Sequence, residues 1–117
     1  MDCGIICIKY LLDYLNINDE RTVLELSKLI NDKGLSVYNI VTILNQYHIR
    51  INAYKTYRLK HKTPYIMLLR GFKTGHYIVI LEVRKFSVII FDPVLKERKV
   101  NKLLLYLKFS FIILVML

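Results

Sequence analysis

Glycine and proline are scarce in this chain, four and two among 117 residues, which excludes a collagen-like, low-complexity or disordered polypeptide. Cysteine is scarce too. Two thiols cannot build a disulfide framework, so a small stapled secreted scaffold is excluded and a reducing compartment fits better. No cationic segment followed by an apolar core opens the sequence, and Met1-Asp2-Cys3-Gly4 does not read as a secretory signal. Long apolar runs are missing as well. The uninterrupted stretch at residues 111–117 is far below the roughly 20 residues needed to cross a bilayer. It reads as a last buried strand, the alternative being a membrane segment cut short by the end of the chain. No internal repeat and no Pro/Gly/Ser-rich linker divides the sequence, so one domain is expected.

Apolar residues are abundant: Ile, Leu and Val make up 44 of the 117, enough for one buried core. The net charge is +9, but unevenly spread. Residues 1–53 carry 5 Lys/Arg against 6 Asp/Glu, whereas residues 54–117 carry 13 against 3. A basic half of this kind suits nucleic acid, an anionic membrane surface or an acidic protein partner, and equally a plain solvated face.

Periodicity divides the chain in two. Asp2 is a good N-cap, and Ile5, Ile8, Leu11, Leu12 and Leu15 then recur at helical spacing, predicting a helix over about residues 3–15. Thr22-Val23-Leu24-Glu25 is a capping box that opens a second helix, ending at Lys33-Gly34. Ser36 caps a third, with Val37, Ile40, Val41, Leu44 and Tyr47 on one face. From residue 49 the period falls to 2. Ile49, Ile51 and Ala53 alternate with Arg50, Asn52 and Tyr54, which predicts an amphipathic strand. Pro64 precedes a strand at residues 65–70, and residues 71–75 make a turn. Residues 76–83 and 87–92, joined through Arg84–Phe86, read as a hairpin that Pro93 ends. Helices first and antiparallel strands second predict an α+β fold.

Three residues stand out chemically. Cys3 lies in the first turn of a capped helix, where unpaired backbone N–H groups and the macrodipole favour a thiolate. His76 opens one strand of the hairpin and Asp92 closes the other, so the turn between them brings both to one edge of the sheet. There an acidic group can hold the imidazole in one tautomer and leave the other nitrogen for a thiolate. Spacing alone leaves open the reading of all three as ordinary structural residues.

The motifs resemble those of the peptidase C39 family, the cysteine peptidases at the N-terminus of peptide-exporting ABC transporters. Met1-Asp2-Cys3-Gly4-Ile5-Ile6-Cys7 is similar to the Asp-Cys-Gly motif that opens the family, Gly75-His76-Tyr77-Ile78-Val79 to its His strand, and Phe91-Asp92-Pro93 to its Asp-Pro motif. The resemblance implies a papain-like cysteine peptidase fold, with N-terminal helices packed on an antiparallel sheet. It also implies roles: Cys3 the nucleophile, His76 the general base and then acid, and Asp92 the group that orients His76. The implied substrate is a precursor peptide, bacteriocin-like, whose leader ends in two glycines and is cut as export begins. The implied partners are the membrane and ATP-binding domains of a transporter, on the cytoplasmic side of a bacterial cell membrane. The basic C-terminal half suits contact with an anionic membrane surface.

Family members carry a Gln shortly upstream of the Cys, whose amide helps build the oxyanion hole. Here the chain begins two residues before Cys3, and its single Gln, Gln46, lies in the third predicted helix. The expectation is one peptidase C39-like domain over residues 1–117, truncated at its N-terminus and separated from transporter domains at its C-terminus. The alternative function is a catalytically weak remnant that serves as a peptide-binding or docking module. No Walker-type phosphate loop occurs, so no cofactor is expected in this domain, and ATP would act only through a downstream ATP-binding domain. No metal is expected either. Cys7, at i+4 from Cys3, reads as core, and the spacing of Cys3, Cys7 and His76 matches no zinc signature. His48 and His61 read as surface residues. The run Lys55-Thr56-Tyr57-Arg58-Leu59-Lys60-His61-Lys62 interleaves cations with aromatics, but it is short, and nucleic acid is not an expected partner.

Overall fold

The computed structural model describes residues 3–17, 36–70 and 76–117. Two helices, α1 (Cys3–Tyr14) and α2 (Val37–Gln46), precede the strands β1 (Ile51–Lys55), β2 (Tyr65–Leu69), β3 (His76–Val83), β4 (Ser87–Asp92) and β5 (Lys96–Asn101). A short helix α3 (Lys102–Lys108) then leads into β6 (Phe109–Met116). Every pairing in the six-stranded sheet is antiparallel, in the order β1-β6-β2-β3-β4-β5. The α+β expectation is met. The capping box at residues 22–25, the helix expected after it, the Asp2 cap and the turn at residues 71–75 lie outside the described residues.

Strand alternation sorts side chains to two faces. On one face Ile66, Tyr77, Val79, Phe91 and Leu114 pack against Ile5, Ile8, Leu11 and Leu12 of α1 and Ile40, Ile43 and Leu44 of α2. The register sets Ile66 beside Val79 on one side and Leu114 on the other, so one layer of branched side chains runs across three strands. On the opposite face Tyr65, Met67, Ile78, Ile80, Ile90 and Ile113 pack beneath Leu105 of α3 and Leu59. Fully burying one such aliphatic side chain contributes about 1.5–3 kcal/mol. Strands covered on both faces explain why β2 and β3 read as near-continuous apolar runs.

The spacing of Ile5, Ile8, Leu11 and Leu12 places α1 within one residue of its expected end. Ser36 caps α2 as expected, its hydroxyl accepting from the Asn39 N–H at 3.1 Å. Ala53 is exposed, so of the alternating set in β1 only Ile51 is buried. The apolar tail divides differently from the expectation. Residues 102–108 form α3, capped by the Asn101 side chain, and β6 begins at Phe109. β6 is a buried strand lying between β1 and β2, which settles the reading of residues 111–117 in favour of a strand. No helix among the described residues is long and apolar enough to cross a membrane.

Candidate active site

Helix α1 meets the sheet at β3, and one contact sets the register between them. Cys7 is fully buried and its Sγ donates to the Tyr77 carbonyl at 3.3 Å. Cys3 lies one helical turn before Cys7 on the same face, and His76 is the residue before Tyr77. Anchoring Cys7 at Tyr77 therefore carries Cys3 toward His76, and Cys3 is the largest influence on the protonation of the His76 ring. Cys3 remains partly exposed.

His76 turns its Nε2 to the Asp92 carboxylate, 3.2 Å from Oδ1. Nδ1 is the nitrogen left for the Cys3 sulfur. The Cys3 hydrogen bond raises the His76 pKa above its ordinary value; burial opposes this, and the Asp92 hydrogen bond and charge add to the rise. For Asp92 burial alone would raise the pKa. The Val94 N–H, the His76 ring and the Leu95 N–H outweigh it, so the carboxyl titrates below its usual range. Both shifts favour imidazolium beside carboxylate.

Asp92 is held from behind as well. Pro93 ends β4, and in the turn that follows the N–H groups of Val94 and Leu95 donate to Asp92 Oδ1 at 2.8 and 3.4 Å. These two amides carry no side-chain signature, and the residues Asp-Pro-Val-Leu reveal them only as turn chemistry. A second brace was also not expected. Tyr10 of α1 stacks on Phe91 with ring centroids 4.0 Å apart and donates its hydroxyl to Glu97 Oε1 at 2.5 Å. Burial, with the Glu97 hydrogen bond, pushes the Tyr10 pKa up to about 12. Tyr10 thus ties the helix that carries Cys3 to the strand that carries Asp92.

The other candidates lie apart from this group. Gln46 is exposed at the end of α2, and His48 is exposed with φ 62°. His61 departs from the surface reading. It is half-buried, with Nδ1 3.0 Å from the Tyr54 hydroxyl and Nε2 2.8 Å from the Arg58 carbonyl oxygen, which makes it the clasp of the loop after β1.

The two pKa directions fix a pH dependence. A lowered carboxylate stabilises the fold above its unfolded value, near 3.9, and the contribution is lost as pH falls through the folded value. A raised imidazole stabilises the fold below its unfolded value, near 6.5, and that contribution is lost as pH rises through the folded value. The pair's contribution to denaturant stability is therefore complete between about pH 4 and 6.5 and fades on both sides. His76→Ala is expected to flatten that bell in a series of urea titrations; an unchanged bell would contradict the assignment.

A buried helix–strand clasp, a histidine at one strand start and a carboxylate at the neighbouring strand end can be compared with known proteins. The sequence profile of the peptidase C39 family matches residues 1–117. The chain belongs to the peptidase C39 family. One relative is the SPbeta prophage-derived sublancin-168-processing and transport ATP-binding protein SunT of Bacillus subtilis (strain 168), 36% identical over 100 residues. That match covers 79% of this chain and 14% of SunT, so the chain spans about one seventh of the relative's length. Among solved C39 structures, the peptidase domain of Streptococcus ComA, a bi-functional ABC transporter involved in a quorum sensing pathway, superposes with a TM-score of 0.85 at 18% identity. That superposition covers 98% of this chain and 90% of the ComA domain. A double glycine motif protease from an AMS/PCAT transporter, in complex with its leader peptide, gives 0.86 at 16% identity, covering 98% and 83%. At these identities the C39 likeness to solved structures is one of fold.

Proposed function

We propose that this C39 domain is a cysteine endopeptidase that removes a leader ending in two glycines from a precursor peptide. The observation that carries the reading is the contact chain from Cys3 through His76 to Asp92. His76 takes the thiol proton, and the Cys3 sulfur adds to the carbonyl carbon of the second glycine. The N-terminal end of α1, where the helix macrodipole is positive, lends favourable potential to the oxyanion that forms there. The C–N bond then breaks, and the imidazolium gives its proton to the departing amine. Water hydrolyses the thioester, and the leader leaves as a carboxylate. Asp92, fixed by two turn amides, holds the imidazole in the orientation these steps need. Retention of all three side chains in one connected group supports an enzyme over a docking module that holds a peptide without cutting it.

The relatives support the setting. SunT is named for processing and transport, and one structural neighbour for its leader-peptide complex. On this reading the domain works at the cytoplasmic side of a bacterial membrane, beside the membrane and ATP-binding domains of an exporter. Incubation with a synthetic precursor carrying the Gly-Gly junction, read by mass spectrometry, is expected to give one cut after the second glycine. An intact peptide, or cuts scattered elsewhere, would refute the proposal.

A further inference from the structure

The end of the sheet away from Cys3 carries a second feature. β3 leaves His76 and runs eight residues to Val83, so the β3–β4 turn lies about 23 Å from the Cys3–His76–Asp92 group at roughly 3.3 Å per residue. Around that end Arg58, Lys60, Arg84, Lys85, Lys102 and Tyr106 line a concavity of about 590 Å³. Five cations from three separate segments thus converge on one hollow. Among the described residues one carboxylate pairs with them, Glu82 with Arg84 at 3.2 Å, and that pair is solvent-exposed. The arrangement is braced by the backbone: the Lys102 N–H donates to the Phe86 carbonyl at 3.0 Å, and the Lys102 Nζ donates to the Lys85 carbonyl at 3.4 Å.

Two large apolar side chains stand at the same end, where the Lys102 N–H donates to the Phe86 carbonyl, and each is next in sequence to one of these cations. Phe86 follows Lys85 and Leu103 follows Lys102, with exposures of 73% and 70%. Lys85 Nζ lies 5.2 Å from the Phe86 ring centroid. Cations set beside exposed aromatic and aliphatic tips match a lipid interface, where headgroups are anionic and the layer beneath is apolar. An acidic protein would satisfy the charge, but it gives no reason for two exposed apolar tips beside the cations.

We infer that this end of the domain docks on an anionic phospholipid surface through Arg58, Lys60, Arg84, Lys85 and Lys102, with Phe86 and Leu103 dipping among the headgroups. The active site then faces away from the bilayer, about one strand length above it. The inference does not depend on peptidase activity.

The test is co-sedimentation of the protein with phosphatidylcholine vesicles, with and without phosphatidylglycerol. Binding is expected only to the anionic vesicles, weakening as salt rises. Near an anionic surface each cation removed weakens partitioning about fivefold, so Lys60→Ala/Lys85→Ala is expected to lose about 25-fold. Phe86→Ser is expected to weaken the binding that persists at high salt. None of these residues lies in the site, and an unchanged circular dichroism spectrum and melting midpoint report that the variants fold. Equal binding to neutral vesicles, or failure to bind anionic ones, overturns the inference. So does anionic binding that the lysine substitutions leave unchanged, or binding abolished by millimolar inorganic phosphate at constant ionic strength, which marks a soluble-anion site. Saturable binding to a polyglutamate peptide without vesicle binding assigns the surface to an acidic protein instead.

Discussion

Cys3→Ala is expected to lower kcat for precursor cleavage by at least about 10³-fold, with KM for the precursor nearly unchanged. In the proposed mechanism the sulfur forms the bond that defines the reaction, whereas the leader is held by surface away from it. His76→Ala is expected to cost about as much, and the double variant no more than the worse single one, because the two side chains act as one unit. Asp92→Asn separates orientation from bond making. The amide oxygen still accepts from Val94 and Leu95, so the turn survives, while the charge that favours imidazolium is gone. Its loss is expected between about 10²- and 10⁴-fold, less than that of Cys3→Ala. A Cys3→Ala protein that still cuts at the same bond would end the nucleophile assignment.

The second large effect concerns the substrate. A leader ending in two glycines has no side chains at the positions before the cut, so the groove there can be narrow, excluding water and holding the backbone against Cys3. Such a groove rejects larger residues by clash rather than by lost attraction. Replacing the glycine at the scissile bond by leucine is expected to reduce kcat/KM by at least about 10²-fold, with alanine partly tolerated. Binding of the uncut peptide is expected to change little, since on the proposed reading the affinity comes from an apolar helical face of the leader, at i, i+3, i+4 spacing. Efficient cutting after leucine would mean an open groove and would remove the double-glycine specificity.

Much of this arrangement is legible in the residues, and the illegible parts have physical reasons. The His76–Asp92 approach follows from a hairpin with a short turn, a local feature that alternation and β-branching reveal. The bond between Cys3 and His76 is not local. It depends on how α1 lies across β3, which the Cys7–Tyr77 contact settles and no spacing encodes. β5 escapes periodicity because Lys96–Asn101 is an edge strand, exposed along nearly its whole length, and reads as a polar loop. In the apolar tail Leu103, Leu104, Leu105 and Leu107 hide a helix, since a short apolar run carries no period of its own. Only Leu105 of these is buried. The insertion of β6 between β1 and β2 is set by pairing across 40 to 65 residues of chain, beyond any local pattern.

The central claim, that Cys3 is the thiol activated by His76, is tested most directly by the alkylation rates of the two cysteines in the folded protein, read by mass spectrometry. Iodoacetamide is expected to modify Cys3 at neutral pH at least about tenfold faster than Cys7, which stays protected until the chain is denatured. His76→Ala is expected to abolish that excess. Equally slow labelling of both thiols, or fast labelling of Cys3 that His76→Ala leaves unchanged, would contradict it.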